Sequence, residues 1–170
     1  MITRDFQLIF EEAIELEGRM LVFEFFIAFS RFECALLNTI EFATRHNNKT
    51  VPNWDKFIST IKDSFNQNRT NELNKAIEYI ITNPPKIHQL ENDQLVWLPR
   101  NINHNTPLIT QLSLHIRTIR NNLFHGGKFN GVYEPDVSRN YRLIRSSLII
   151  LNEWLSLNES VKNKFLERII

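Results

Sequence analysis

The sequence predicts an all-α fold: a helical bundle with a long first helix and one long connecting loop. Apolar residues recur every three or four positions along most of the chain, which is the spacing of one helix face. Glycine occurs only 4 times in 170 residues, and few stretches alternate apolar and polar side chains as a half-buried strand does. Hydrophobic residues make up 42% of the chain, enough for a core of its own, so we expect one domain over residues 1–170.

Two helices are predicted at the N-terminus, over residues 3–17 and 19–45. The second has Phe25 and Phe29 on a stripe of helical spacing, and Phe23 lies on another face. A helix that is apolar over so much of its circumference must be covered on more than one side. A central position in the bundle or a dimer interface would supply that cover.

The middle of the chain is predicted as a loop, two helices and a longer loop. Asparagine and proline mark residues 47–53 as a loop, and apolar stripes predict helices over residues 53–66 and 70–82. Two prolines end the second helix, because proline cannot continue the hydrogen-bond ladder. Residues 84–105 are predicted as an extended loop, in which Trp97 either stacks on bases or covers the core.

Three helices are predicted in the C-terminal part. Thr106 and Pro107 open the first of them with a capping residue and a proline at the first helical position. Its predicted buried stripe is Leu112, Ile116, Ile119 and Leu123. A last long helix is expected from Pro135 to about Leu157, followed by a short one over residues 159–168.

The segment IRTIRNNLFHGGK (residues 116–128) has polar side chains in the last turns of the first of these helices. Gly126 follows the last periodic residue, where glycine commonly stops a helix. His125 would then lie at the carboxyl end, where the helix dipole favours a protonated imidazole that exchanges protons near neutral pH. Arg120 lies off the buried stripe and offers a fork of donors that suits phosphate oxygens. These residue types fit a catalytic pair, and they also fit a simple helix end.

Charge is distributed unevenly along the chain, although the formal net charge is only +1. Residues 1–44 carry three basic and eight acidic side chains, a net charge of −5. Residues 117–145 carry six basic and two acidic side chains, a net charge of +4. The basic region could attract a polyanion such as RNA, or the two oppositely charged regions could pair with one another.

Composition excludes several classes of protein. The single cysteine, Cys34, rules out an internal disulfide framework and a CxxC metal pair. The N-terminus is charged and the most apolar run, residues 20–30, is short, so we expect a cytoplasmic protein without a membrane segment. Neither an HExxH motif nor a carboxylate cluster occurs, so neither a metal ion nor another cofactor is expected.

Two short segments carry a resemblance to a known family. RNNLFH (residues 120–125) resembles the Arg-polar-x3-His motif of the HEPN superfamily, and FSRFECAL (residues 29–36) resembles a Ser-Arg-Phe-Glu segment of HEPN proteins from plasmids and phage-defence loci. The resemblance implies an HEPN-like bundle that forms a homodimer, with two copies of the motif across a shared cleft. It further implies a metal-independent endoribonuclease that acts on RNA as a toxin or an antiviral-defence component.

Carried over by position, the resemblance makes Arg120 and His125 the catalytic pair. The predicted supporting and phosphate-binding residues are Asn121, Asn122, Lys128, Arg117, Glu33 and Arg31. Glu33 would orient Arg120 or Lys128 across the bundle, or would belong to a solvated surface pair on its own helix. Gly127 stands where many HEPN toxins with a nucleotidyltransferase antitoxin have a tyrosine, so the nature of an antitoxin or other regulatory protein is open.

Two other functions compete with the nuclease. The first is a non-catalytic HEPN module that binds RNA, a nucleotide or a partner protein through the same basic cleft. The second is a helical scaffold whose phenylalanine-rich helix docks partner proteins.

Overall fold

A computed structural model of the chain describes residues 1–124 and 137–168. In these ranges the chain forms seven α-helices and two β-hairpins. In chain order the elements are α1 (Ile2–Ala13), α2 (Leu16–Leu37), β1 (Ala43–His46), β2 (Lys49–Pro52), α3 (Trp54–Ile61), α4 (Asn71–Thr82), β3 (Lys86–Glu91), β4 (Gln94–Pro99), α5 (Leu108–Phe124), α6 (Val137–Ser156) and α7 (Glu159–Leu166). A short 3-10 helix (Ile40–Phe42) lies between α2 and β1.

The prediction of an all-α fold is wrong, because two antiparallel hairpins interrupt the helices and make the described fold mixed α/β. Asn47 and Asn48, with φ of 45° and 61°, form the β1–β2 turn; Asn92 and Asp93, with φ of 49° and 61°, form the β3–β4 turn. Two-residue turns with positive φ match the twist of a hairpin, and Asn and Asp adopt this region more readily than most residues. The asparagines that predict loops therefore lie in turns between paired strands.

The predicted long helix and long loop both need correction. The helix predicted over residues 19–45 ends at Leu37, where Asn38 Nδ2 donates to the Cys34 carbonyl at 2.8 Å. A side chain that satisfies one of the last carbonyls favours a helix end. The loop predicted over residues 84–105 contains the β3–β4 hairpin, whose register runs from Lys86 opposite Pro99 to Glu91 opposite Gln94.

The core is built around one face of α2. Phe25 and Phe29, on the predicted apolar stripe, are buried, and so is Phe32. The ring of Trp54 on α3 stacks on Phe29 and Phe32 at centroid distances of 5.4 and 5.1 Å. The core cluster also draws side chains from α4, α5, α6 and α7. Gly18 lies inside α2, where an added Cβ would meet Tyr141 Oη of α6 at 1.9 Å, so α2 and α6 approach closely there.

Helices α4 and α6 pack side by side in antiparallel directions. At one end Arg139 Nη2 donates to the carbonyl oxygens of Asn83 and Pro84 at 3.3 and 3.0 Å, and at the other end Arg69 pairs with Glu153 at 3.0 Å. The buried stripe predicted on α5 is confirmed, since all four of its residues are buried. The carboxyl ends of α4 and α5 and the start of α6 therefore meet at one end of the bundle.

Helix α1 lies largely outside the core, and its apolar residues Ile2, Phe6 and Ile9 are more than half exposed. Within the described ranges, no helix is both long and apolar enough to cross a membrane.

Candidate functional site

Arg120 is held on three sides near the carboxyl end of α5. Its Nη2 donates to Oε2 of Glu33 at 3.2 Å, and its Nη1 donates to Oδ1 of Asn121 at 3.0 Å. The Cζ atom lies 5.5 Å from the ring centroid of Phe29, so the guanidinium also makes a cation–π contact. These contacts fix the orientation of a planar group that binds phosphate oxygens through a fork of donors.

Glu33 positions this arginine from the neighbouring helix α2. Its Oε1 accepts from the indole Nε1 of Trp54 at 3.3 Å, while Oε2 accepts from Arg120. Of the two alternatives left open for Glu33 by the sequence, the contact across the bundle is the one that forms. With side chains 32% and 25% exposed, the Arg120–Glu33 pair is partly shielded from water yet open on one side.

Arg117 and Asn121 lie on the same side of α5 as Arg120. Arg117 Nη1 is 3.8 Å from Oδ1 of Asp55 on α3, and both side chains are well exposed. An exposed pair at that distance contributes little to stability, so Arg117 is able to exchange Asp55 for another anion. Three of the predicted residues are thus brought together on one partly exposed face.

Asn122 and Arg31 bind backbone groups elsewhere. Asn122 is 8% exposed, and its Nδ2 donates to the Lys86 carbonyl at 2.8 Å, which ties the start of β3 to α5. Arg31 donates to the Phe165 and Lys164 carbonyls at 2.8 and 3.0 Å and also to the Glu167 carbonyl. A cation at the carboxyl end of α7 stabilises that helix end. Neither contact bears on phosphate binding, so the geometry gives both residues structural partners.

His125 and Lys128 lie outside the described residues. Their predicted roles therefore remain predictions from the sequence. The described chain stops at the last residue of α5 and resumes at the first residue of α6, and both of these residues belong to the end of the bundle where α4 also ends.

Sequence reasoning missed two residues that shape the site, Trp54 and Phe29. Phe29 is predicted only as part of the apolar stripe of its helix, Trp54 falls within the helix predicted over residues 53–66, and both side chains are buried. The helical spacing between Phe29 and Glu33, four positions apart on α2, is the signal that could have placed an aromatic ring beside the carboxylate.

A second polar group on α5 was also missed. Thr118 is buried, and its hydroxyl accepts from Arg100 Nη1 at 3.1 Å, just beyond β4. His115 is 5% exposed one turn earlier, and burial, followed by the charge of Arg100, lowers its pKa to about 4. Because burial favours the neutral imidazole, His115 is uncharged near neutral pH, and its role is structural.

Thr118 and Asn122, one turn apart on α5, bind the residue after β4 and the first residue of β3. These two residues lie together at the open end of the β3–β4 hairpin. The hairpin is thereby fixed to the last turns of α5, about 160° around the helix from Arg120. Within the hairpin, the His88 and Trp97 rings lie 3.5 Å apart between centroids. Trp97 therefore packs on a cross-strand neighbour, and it does not belong to the loop that the sequence predicts.

Among the residues that the structure describes, no group of three or more His, Cys, Asp or Glu side chains is arranged to hold a metal ion. Comparisons with protein-family models, with curated proteins and with solved structures found no match for this chain.

Proposed function

We propose that the protein is a metal-independent endoribonuclease of HEPN type that acts as a homodimer. Arg120 would bind the scissile phosphate, and His125 would transfer protons. The observation that carries the proposal is the position of Arg120, whose guanidinium is held by Glu33, Asn121 and Phe29, partly exposed and about one turn from the end of α5. The neighbouring Arg117 adds a second cation on the same face.

The reaction requires only groups that the motif contains. One imidazole removes the proton of the RNA 2′-hydroxyl, whose oxygen attacks the adjacent phosphorus in line. The bond from phosphorus to the 5′-oxygen breaks, and a second imidazole gives that oxygen its proton. The products carry a 2′,3′-cyclic phosphate and a 5′-hydroxyl. The arginine stabilises the charge that develops on the phosphoryl oxygens, where prealigned donors are most effective.

A homodimer would bring two such imidazoles together, and an exposed face of α2 supports it. Leu16, Met20, Phe23 and Ile27 form a stripe with helical spacing and are 46–65% exposed, directly opposite the buried face with Phe25. Exposed apolar patches of this kind mark interaction sites. Glu33 lies about 80° around the helix from Phe23, so two copies joined through the stripe would bring their Arg120 sites toward one interface.

The dimer is tested by the oligomeric state of Phe23→Glu. We expect the wild type to have twice the chain mass by light scattering and Phe23→Glu to have the mass of one chain, because a buried charge opposes association. Gln67→Glu, which adds the same charge at an exposed turn, is the control and should remain dimeric. A monomeric wild type, or a dimeric Phe23→Glu, contradicts the proposal.

The nuclease is tested with labelled RNA in EDTA and a series of variants. Loss of one prealigned cation at the phosphate commonly slows such reactions by about 10²–10³-fold, which we expect for Arg120→Ala. Loss of acid–base groups should slow His125→Ala by about 10²–10⁴-fold. Lys162→Ala removes an equal charge from an exposed side chain of α7 and should stay within a few-fold of wild type. Arg120→Lys keeps a charge beside Glu33 and should fold normally while losing most activity.

Two outcomes contradict the nuclease. RNA that remains intact with the wild type would contradict it, and so would a His125→Ala protein that cuts as fast as the wild type.

We propose a role as a toxin or antiviral-defence component, so expression of the wild type, but not of His125→Ala, should arrest cell growth.

A further inference from the structure

A second cationic surface lies in the groove between α4 and α6. The groove has a volume of about 430 Å³, and Lys75, Tyr79, Arg142 and Arg145 contribute to its walls. Glu72 is the acidic residue that lines it, so three cations face one carboxylate among its described lining. Arg145 also pairs with the exposed Glu17 at 3.0 Å, an interaction that water and salt screen.

Arg142 is arranged as a stacking platform in this groove. Its Cζ atom lies 5.8 Å from the ring centroid of Tyr79, so the tyrosine supports one face of the guanidinium. The Arg142 side chain is exposed, while Tyr79 is half-buried against the core. Nucleic-acid bases stack on guanidinium planes as well as on aromatic rings, and phosphates pair with nearby cations. A peptide carboxylate would use the charges but not the planar surface.

The groove begins about one helical turn from the end of the bundle that carries the motif. Arg139, one helical turn before Arg142, donates to carbonyl oxygens at the carboxyl end of α4, and Asn122 ties α5 to the backbone only two residues further on. From there the arginines at positions 139, 142 and 145 follow α6 away from that end, over about 9 Å of helix.

We propose that the α4–α6 groove binds the single-stranded RNA that flanks the scissile phosphate. In this arrangement a base stacks on Arg142, and Lys75 and Arg145 contact backbone phosphates. The inference rests on the proposed nuclease function and adds to it a site for the substrate strand outside the catalytic motif.

The test is fluorescence anisotropy with a labelled 15-nucleotide 2′-O-methyl RNA, which cannot be cut by attack of its own 2′-hydroxyl. Lys75→Gln and Arg142→Gln should each raise Kd by about three- to tenfold, because each removes a charged contact. Lys75→Gln, which removes a phosphate contact, should also lower the slope of log Kd against log salt concentration by about 0.7. Lys162→Gln on α7 removes the same charge from an exposed side chain outside the groove and should stay within about twofold of wild type.

Two variants of Tyr79 distinguish base stacking on Arg142 from binding by charge alone. Tyr79→Phe keeps the ring under Arg142 and should bind as the wild type does, whereas Tyr79→Leu should weaken binding by a similar factor to Arg142→Gln. Groove variants that bind like Lys162→Gln overturn the proposal, and so does a wild type that does not bind the oligonucleotide.

Failure of the groove and failure of the nuclease give different results. If the wild type cuts RNA, His125→Ala does not, and the groove variants bind normally, the groove proposal is contradicted and the proposed nuclease function is supported. If the groove variants bind RNA more weakly but His125→Ala and the wild type leave native RNA equally intact, the groove is supported as a binding site and the nuclease proposal is contradicted.

Discussion

Two faces of the last turns of α5 carry similar polar residues but have opposite surroundings. On one face His115, Thr118 and Asn122 are buried, and the latter two bind the ends of the β3–β4 hairpin. On the other face Arg120 is partly exposed and binds the side chains of Glu33 and Asn121. Adjacent polar residues of one motif, Asn121 and Asn122, thus have different partners because they face different sides of the helix.

The difference has an energetic basis. Removing a buried polar side chain leaves its backbone partner without a hydrogen bond, so such contacts contribute to stability. A partly exposed arginine can exchange one anionic partner for another at lower cost, because water reaches it. We therefore expect changes on the buried face to alter stability, and changes on the open face to alter RNA binding and cleavage.

The largest expected change in stability concerns His115. Its pKa is lowered from 6.5 to about 4 in the folded state, so between those values the unfolded chain binds a proton that the folded chain does not. The free energy of unfolding should therefore fall as the pH decreases from about 6.5 to about 4, by roughly 3 kcal/mol from this group. Urea unfolding at a series of pH values measures it.

His115→Leu provides the control for that measurement. Without the imidazole, stability should depend less on pH over the same interval, by roughly the same 3 kcal/mol. Identical pH profiles for the wild type and His115→Leu would show that the histidine is not held in its neutral form.

A smaller effect is expected from the asparagine pair. Asn122→Ala removes a buried donor from the Lys86 carbonyl and should lower the free energy of unfolding by about 1–2 kcal/mol. Asn121→Ala, on the exposed side, should change it by less than about 0.5 kcal/mol. Urea unfolding of both variants decides the comparison, and equal destabilisation would contradict the assignment of the two faces.

Much of the helical architecture could be predicted from the sequence, and the hairpins could not. The stripe from Leu112 to Leu123 and the phenylalanines of α2 follow a strong helical period. The hairpins have short strands with little alternation of polarity, because both are largely exposed. Their turns, Asn47-Asn48 and Asn92-Asp93, were visible as turn residues, but a turn alone does not show that its flanks pair.

The candidate site could be predicted in part. The contact between Arg120 and Glu33 joins residues 87 positions apart, and only the resemblance of their two segments to one family suggested that they belong together. The burial of Asn122 could not be read from the sequence, since its partner is a carbonyl of an unpredicted strand. The apolar circumference of α2 predicts that a second face is covered, and Phe23 lies on a face that is exposed in the single chain.

The chemistry of the RNA ends tests the central claim most directly. Purified protein is incubated in EDTA with an end-labelled RNA and with the same oligonucleotide carrying 2′-deoxyribose at the cleaved positions. The proposed reaction predicts 2′,3′-cyclic phosphate and 5′-hydroxyl ends from the RNA and no cleavage at the deoxy positions, because the attacking group is the 2′-hydroxyl. Products with 3′-hydroxyl and 5′-phosphate ends, or cleavage that EDTA abolishes, would contradict a metal-independent nuclease centred on Arg120 and His125.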